Sequence, residues 1–268
     1  ENVFKALELG ALDFIAKPSA QIAPDATALR DQIREKVLLV RQLRSSMPSP
    51  PMSRRTFSAG EKPSFPESAS MRVAPAYSPP KHVVAIASST GGPSALLEIF
   101  GKIPATTTAG FVVAQHMPDK FTRTFAERLD RKGPVRTSEG QDGDRLGKST
   151  GFVCPGRQCM EVVQNGLELR IAVGAPRPDD RYVPSADRLL TSVATAAGSR
   201  AVGVILTGMG DDGVEGARAI RDAGGLVIAE AQETAVVYGM PGAAVRAGLP
   251  QKVLPLPEIA DFLASFGS

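Results

Sequence analysis

Histidine and cysteine are scarce in this chain of 268 residues, which has two of each and no tryptophan. Cys154 and Cys159 are too few for the disulfide framework of a secreted scaffold, so a reduced cytoplasm fits, and both read as small core residues. His82 and His116 belong to no Cys/His cluster in the sequence. The composition therefore predicts no zinc site, and we expect neither a metal nor a cofactor.

Long apolar runs and strong charge are also missing. No run approaches the ~18 residues of a membrane span, and no signal peptide is visible, so we expect a cytoplasmic protein without membrane insertion. The formal net charge is only +3. No basic stripe with interleaved aromatic residues is present, and neither is a nucleic-acid motif, so no nucleic-acid partner is predicted.

Composition divides the chain into three zones. Residues 1–46 resemble structured protein. Residues 47–80 are rich in proline and serine, and such a stretch cannot bury enough apolar surface to offset its ordering entropy, so it reads as a flexible linker. Residues 81–268 alternate short apolar runs with amphipathic stretches and form the third zone, which we expect to be the catalytic domain.

The third zone has the pattern of an α/β protein. Short buried strands are predicted at 82–87, 111–115, 201–206 and 226–229, with helical stretches between them. This alternation predicts a doubly wound, mostly parallel sheet, in which ligands bind outside the carboxyl ends of the strands. Segments 151–154 and 158–171 predict an antiparallel patch. In it, Asn165 and Gly166 form a type I′ hairpin turn, and the hairpin adds an antiparallel edge to the sheet.

Three of the predicted strands run directly into chemically reactive residues. The first strand leads into the sequence SSTGG, the second into QHMP and the third into TGMGDDG. Parallel strands place all three ends on one edge of the sheet, so Ser89, His116 and Asp212 can meet there. A serine hydroxyl needs an adjacent base, histidine can accept its proton, and a carboxylate can orient the imidazole. The glycines after Ser89 allow a sharp turn, and the next helix start offers N–H groups to an oxyanion.

Each residue also has a structural interpretation when it is taken alone. Ser89 fits a turn or helix cap, His116 fits a core position, and Asp211 and Asp212 both fit helix N-caps. The occurrence of all three types at the same kind of strand-to-helix junction favours the triad.

Two other classes of protein fit parts of the pattern. The glycine-rich first turn would suit a nucleotide-binding α/β module, but SSTGGP is not G-x-G-x-x-G, and no Walker pattern is present. A scaffold protein without chemistry would leave the three junctions as coincidence.

Four stretches of the third zone carry a family resemblance: IASSTGGPSAL, VVAQHMPDKFTRTFAERL, AVGVILTGMGDDGVEGARAI and VVYGMPGAA. In this order they resemble the bacterial chemotaxis protein-glutamate methylesterases, the CheB family, over roughly residues 82–266. The resemblance implies a doubly wound parallel sheet and hydrolysis of glutamyl methyl esters on the cytoplasmic domains of methylated chemoreceptors, with release of methanol. It also implies that receptor glutamines can be deamidated.

The resemblance assigns a role to each matching position. Ser89 becomes the nucleophile, His116 the general base and Asp212 the orienting acid. The backbone N–H groups of Thr90 and Met209 become the oxyanion donors.

Two departures from the family pattern blur these roles. Ala87 and Ser88 stand where the family has Gly-Ala, which puts a second serine beside the nucleophile, and Asp211 stands where it usually has asparagine. We expect Asp212 to contact the imidazole and Asp211 to face solvent or cap the following helix.

The stretch ALELGALDFIAKP resembles the end of a response-regulator receiver domain, with Lys17 as its phosphate-contacting lysine and a cis bond expected before Pro18. The resemblance implies a histidine kinase partner, acting through the receiver domain of a full-length parent. The sequence begins at Glu1 and reads as a fragment, so we expect esterase activity without a phosphodonor. Apolar residues of the remnant are expected to be loosely packed or exposed: Leu7, Leu12, Phe14 and Ile15.

Overall fold

Seven parallel strands form the central sheet of the computed structural model, which describes residues 77–267 and eight positions before them. Those eight positions are Val3, Ala6, Ala11, Phe14, Arg30, Ile33, Arg34 and Val37. Over this part of the chain, no helix is long and apolar enough to cross a membrane.

The strands of the described residues have these bounds: β1 His82–Ser88, β2 Ala109–Gln115, β3 Arg136–Glu139, β4 Thr150–Val153, β5 Cys159–Asn165, β6 Glu168–Gly174, β7 Ala201–Ile205, β8 Leu226–Glu230 and β9 Lys252–Leu254. The main sheet has the order β3-β4-β2-β1-β7-β8-β9, and every neighbouring pair is parallel. The four strands predicted from sequence correspond to β1, β2, β7 and β8, at the centre of this sheet.

Helices cover both faces of the sheet: α1 Gly92–Lys102, α2 Asp119–Lys132, α3 Ala186–Ala197, α4 Val214–Asp222, α5 Met240–Arg246 and α6 Leu256–Ala264. The first, second and sixth helices contribute to one apolar cluster, and the other three contribute to a second cluster on the opposite face. Alternate residues of β1 point to the two sides: Val84 and Ile86 lie in one cluster, and Val83 and Ala85 in the other. Because both faces are covered, the central strands are continuous apolar runs, and the doubly wound prediction is confirmed.

The prediction of an antiparallel patch is wrong for residues 151–154. Strand β4 lies inside the main sheet, parallel to both β2 and β3. A short apolar run identifies a buried strand but not its partner, because the partner is set by how the chain returns from β3.

The hairpin does not add an edge to the main sheet. Strands β5 and β6 form a two-stranded sheet of their own, which packs against α3 and joins it through a hydrogen bond from the Val162 N–H to the Ser192 hydroxyl at 2.8 Å. The hairpin therefore packs on a helix that covers the main sheet and does not extend the sheet itself.

The hairpin turn is shifted by one residue from its predicted position. Asn165 pairs with Glu168, so Gly166 and Leu167 occupy the turn. Gly166 has φ +61°, whereas Leu167 has no positive φ. A positive φ at the first central position alone is the type II′ pattern, so the type I′ prediction is wrong. The Asn-Gly pair signals a hairpin without fixing which of its residues begins the turn.

Part of the predicted linker packs on the catalytic region. Residues 47–76 lie outside the described residues. In residues 77–80, the Tyr77 hydroxyl accepts a hydrogen bond from the Leu169 N–H at 3.1 Å, and the Ser78 carbonyl accepts one from the Lys148 N–H at 2.9 Å. The structured region therefore begins before residue 81.

Of the apolar residues predicted to be loosely packed near the N-terminus, the structure describes Phe14. It is half-buried, and its ring contacts that of Phe121 in α2 edge-on, with the centroids 4.7 Å apart. The prediction of loose packing is wrong for Phe14, because α2 supplies an aromatic partner. Leu7, Leu12, Ile15, Lys17 and Pro18 lie outside the described residues.

Candidate active site

The three predicted triad residues follow three neighbouring strands. Strand β1 lies between β2 and β7; Ser89 follows β1, His116 follows β2, and Asp212 lies in the segment after β7. The carboxyl ends of β1 and β2 are in register, since Ser88 pairs with Gln115 and the His116 N–H donates to the Ser88 carbonyl at 3.0 Å. The chain leaves β1 toward β2 on one side and returns beside it at β7, so this edge is a topological switch point of the sheet.

Asp212 and His116 are joined by a direct contact. Oδ2 of Asp212 lies 2.7 Å from Nε2 of His116. The side chain of Asp212 is 1% exposed and that of His116 is 17% exposed. The prediction that Asp212 contacts the imidazole is confirmed. Because Nε2 faces the carboxylate, Nδ1 is the ring nitrogen left to act as the base.

The start of α3 holds the carboxylate of Asp212 in place. Oδ2 accepts a hydrogen bond from the Ala186 N–H at 2.8 Å, and Oδ1 accepts one from the Asp187 N–H at 3.0 Å. In return, Oδ1 of Asp187 accepts the Gly216 N–H of α4 at 2.8 Å. Each aspartate thus caps the other's helix, and burial raises the pKa of Asp187. Ser185 caps α3, since its side chain accepts a hydrogen bond from the Arg188 N–H at 3.2 Å.

Asp211 points away from the imidazole. Its carboxylate accepts a hydrogen bond from the Tyr182 hydroxyl at 2.9 Å and forms an ion pair with Arg181 at 3.3 Å. The side chain is 48% exposed. It does not cap α4, whose N-cap is Gly213 without a side-chain hydrogen bond. The prediction that Asp211 faces solvent is confirmed.

The two adjacent serines have different environments. Ser88 is fully buried, and its hydroxyl donates to Oε1 of Gln115 at 2.7 Å. Ser89 is partly exposed. Nε2 of Gln115 donates to the carbonyls of Ser89 and His116 at 2.9 and 3.0 Å, so it connects the nucleophile turn to the histidine segment. Only Ser89 of the pair is placed where a substrate can reach its hydroxyl.

The turn after β1 depends on glycine. Gly91 has φ +82°, a conformation that side chains rarely adopt. Gly208 lies against the nucleophile, and a Cβ there would be 2.8 Å from Cβ of Ser89. A side chain at Gly208 would therefore displace the turn that carries Ser89. Among the described residues, the Met209 N–H donates no hydrogen bond.

Sequence reasoning missed Tyr182, which covers one face of the catalytic imidazole. The two rings are stacked, with centroids 5.4 Å apart and an interplanar angle of 9°. Burial, together with the hydrogen bond to Asp211, raises the pKa of Tyr182. The guanidinium of Arg181 lies 5.6 Å from the tyrosine ring centroid. No period or motif marks this residue; its sole signal is an aromatic position just before a helix start.

Two cavities in the described part of the chain differ in their distance from the triad. One of about 1190 Å³ lies at the amino ends of β3 and β4. The other, of about 730 Å³, is bordered by Asp212 and Tyr182. Neither is lined by Ser89 or His116. The nucleophile is therefore not enclosed by either cavity, an arrangement that suits a side chain presented on a protein surface.

Two further kinds of chemistry bear on this site, metal binding and catalysis by a cysteine thiol. Within the described part of the chain, no three His, Cys, Asp or Glu residues are grouped so that they could hold a metal ion. Cys154 and Cys159 are buried free thiols, and burial raises the pKa of both. Cys154 follows β4, and Cys159 is the first residue of β5.

Residues 84–263 match the protein family described as CheB methylesterase. The chain belongs to the CheB methylesterase family. A relative from Myxococcus xanthus, named protein-glutamate methylesterase/protein-glutamine glutaminase 1, is 42% identical over 98% of this chain and 72% of its own length. A Pseudomonas aeruginosa protein, named protein-glutamate methylesterase/protein-glutamine glutaminase 2, is also 42% identical, over 98% of this chain and 71% of its own length.

The crystal structure of the Thermotoga maritima CheB methylesterase catalytic domain has the same architecture. It is 35% identical, with a TM-score of 0.66, and the match covers 69% of this chain and 97% of that domain. The resemblance to the CheB family and the predicted fold class are confirmed. The alternative of a nucleotide-binding module is not supported.

Proposed function

We propose that this chain hydrolyses glutamyl methyl esters of chemoreceptors and releases methanol, with Ser89 as the nucleophile, His116 as the general base and Asp212 as the orienting acid. The observation that carries the proposal is the 2.7 Å contact between His116 and the buried Asp212, at the strand ends that flank Ser89. Membership of the CheB methylesterase family supports the same reaction.

The first half-reaction forms an acyl-enzyme. Nδ1 of His116 takes the proton of the Ser89 hydroxyl while Oγ attacks the ester carbonyl carbon, and Asp212 stabilises the resulting imidazolium. The N–H groups of Thr90 and Met209 donate to the carbonyl oxygen as it becomes negative. Removing one such donor costs about 10²- to 10³-fold in other serine hydrolases. When the tetrahedral intermediate collapses, His116 returns the proton to the methoxy oxygen, and methanol leaves.

The second half-reaction regenerates the enzyme. Water attacks the glutamyl ester on Ser89 while His116 accepts one of its protons, and collapse returns that proton to the serine oxygen. The product is a glutamate carboxylate. A glutamine side chain would pass through the same acyl-enzyme with ammonia as the leaving group, which accounts for the glutaminase named in the relatives.

The partners and the domain organisation belong to the same proposal. The substrates are the methylated cytoplasmic domains of chemoreceptors, so the enzyme acts in the cytoplasm. The catalytic domain spans residues 81–268 with residues 77–80 packed against it, residues 47–76 form the linker, and residues 1–46 resemble the end of a receiver domain. A histidine kinase is the proposed partner of a receiver domain of this kind. The contact between Phe14 and Phe121 supports a link between this first zone and α2, the helix that follows the His116 segment.

Methanol release from membranes that carry methylated receptors tests the proposal. The wild-type chain should release methanol, and Ser89→Ala should lower the rate by several orders of magnitude. Methanol release by Ser89→Ala at the wild-type rate would refute it.

A further inference from the structure

Two carboxyl side chains are almost completely buried in the described part of the chain. One belongs to Asp212, which is 1% exposed, and the other to Glu230, which is 0% exposed. Glu230 is the last residue of β8, the strand beside β7, so it lies at the same edge of the sheet as the triad. Glu230 takes no part in the proposed ester hydrolysis, although burying a carboxyl group is costly unless the group has hydrogen-bond partners.

Glu230 holds a residue on which the nucleophile turn depends. Its Oε2 accepts a hydrogen bond from the Thr207 N–H at 2.8 Å. The carbonyl of Thr207 accepts the Ser89 N–H at 3.0 Å, and its hydroxyl donates to the Thr90 carbonyl at 2.9 Å. The same hydroxyl accepts the Val237 N–H at 2.9 Å. Thr207 is therefore hydrogen-bonded to Ser89 and to Thr90, on both sides of the peptide that carries one oxyanion donor.

The second oxyanion donor is fixed through the same residue. Gly208, next to Thr207, donates its N–H to the Val237 carbonyl at 3.0 Å and accepts the Met240 N–H at 2.8 Å. The Gly208 carbonyl that accepts the Met240 N–H belongs to the same peptide group as the Met209 N–H. A displacement of Thr207 would therefore move both donors relative to Ser89.

We infer that Glu230 is a positioning residue that, through Thr207, sets the places of the oxyanion donors at Thr90 and Met209. The inference rests on the proposed function. Oxyanion donors act only when they lie within hydrogen-bond distance of the oxygen that becomes charged, so small shifts reduce the rate without changing substrate binding.

The position requires a hydrogen-bond acceptor and not a negative charge. Burial raises the pKa of Glu230, which favours a neutral carboxyl group. The hydroxyl of Thr234 lies nearby, but Oε1 of Glu230 has no hydrogen-bond partner of normal geometry among the described residues. A neutral group would not oppose the negative charge that forms on the carbonyl oxygen. Glutamine, which has the same shape and a carbonyl acceptor, should therefore replace Glu230.

Three variants test this role: Glu230→Leu removes the acceptor, Glu230→Gln keeps it, and Thr207→Val removes the hydroxyl that reaches Thr90. We expect Glu230→Leu to lower kcat for methanol release by about 10- to 100-fold with KM changed less than about twofold, because the lost interaction acts in the transition state. Glu230→Gln should keep kcat within about threefold of the wild type. Labelling of Ser89 by a fluorophosphonate needs no receptor. We expect Glu230→Leu to slow this labelling and Glu230→Gln to leave it close to the wild-type rate.

Gln251→Leu is the matched control, since Oε1 of Gln251 accepts the Val227 N–H of the same strand β8 at 2.7 Å, at the end away from Ser89. It should leave both rates unchanged. Thermal unfolding shows which variants are folded. If Glu230→Leu does not fold, kcat of Thr207→Val and of Glu230→Gln tests the inference. The inference is overturned if folded Glu230→Leu or Thr207→Val keeps wild-type kcat, if Glu230→Gln falls as far as Glu230→Leu, or if the loss is in KM. Failure of the proposed function can be told apart from failure of this inference, because in the former case the wild type itself would release no methanol.

Discussion

Oδ2 of Asp212 lies 2.7 Å from Nε2 of His116, and the same oxygen accepts the Ala186 N–H at the start of α3. The N-terminus of α3 therefore orients the carboxylate of Asp212, and the carboxylate in turn orients the imidazole of His116. With Asp187 capping α4 in return, the acid of the triad is fixed by the packing of two helices against each other. A strand end alone would leave it free to rotate.

Replacing Asp212 by asparagine should abolish most of the activity. An amide at this position donates where the carboxylate accepts, which favours the wrong imidazole tautomer; the equivalent change in a serine protease costs about 10⁴-fold in kcat. Asp211→Asn is the matched control one residue away. It should stay within about threefold of the wild type, because Asp211 contacts Tyr182 and not His116. Methanol release under saturating substrate measures both, and a larger loss for Asp211→Asn would contradict the assignment.

The two adjacent serines should differ sharply when each is changed to alanine. Ser89→Ala removes the nucleophile, and such a loss costs about six orders of magnitude in a well-studied protease. Ser88→Ala removes only the buried hydrogen bond to Gln115, and we expect a loss below about tenfold with some loss of stability, near 1 kcal/mol. Circular dichroism and methanol release should be measured on both. An inactive Ser88→Ala beside an active Ser89→Ala would move the nucleophile by one position.

Tyr182 should contribute mainly through its ring. Tyr182→Phe keeps the stacking on His116 and loses only the hydrogen bond to Asp211, so kcat should fall less than about threefold. Tyr182→Ala exposes one face of the imidazole and frees its orientation, and kcat should fall about tenfold or more. Steady-state kinetics on the two variants separate these effects. If the phenylalanine variant loses as much as the alanine variant, the hydroxyl and not the ring is what matters.

Activity should be insensitive to chelators and to thiol reagents. The triad supplies its own nucleophile and base, so EDTA should not change the rate. Because burial raises the pKa of Cys154 and Cys159, the reactive thiolate is scarce at pH 8, and iodoacetamide should leave the native enzyme active. A fluorophosphonate provides the positive control, since it should inactivate the enzyme through Ser89. Loss of activity in EDTA that a divalent ion restores, or inactivation by iodoacetamide, would contradict this prediction.

The sequence predicts the central sheet and the contact between His116 and Asp212 because both follow from local patterns. Buried strands are short apolar runs, and parallel strands bring their carboxyl ends together wherever the chain goes between them. The partner of β4, the separate hairpin sheet, and the edge strands β3 and β9 depend on contacts between distant segments. They could not be predicted from periodicity, since a three-residue strand such as Lys252–Leu254 carries almost no pattern.

The supporting residues of the site were missed for a related reason. Gln115, Tyr182 and Glu230 carry no chemistry that a motif would single out, and their roles arise from which backbone groups they meet. The distinction between Ser88 and Ser89 follows from where β1 ends, because Ser88 is the last, buried residue of the strand and Ser89 lies in the turn after it. The buried one turns toward Gln115, and the other reaches the open edge.

Trapping the acyl-enzyme tests the central claim most directly. A peptide that carries a glutamyl methyl ester is mixed with the enzyme, the reaction is quenched in acid during the first turnover, and the chain is analysed by mass spectrometry after proteolysis. We predict that the peptide with methanol removed is bound to Ser89, and that no such adduct forms in Ser89→Ala. An adduct on Ser88 or on another residue, or methanol release without any adduct when the second half-reaction is slowed, would contradict the account.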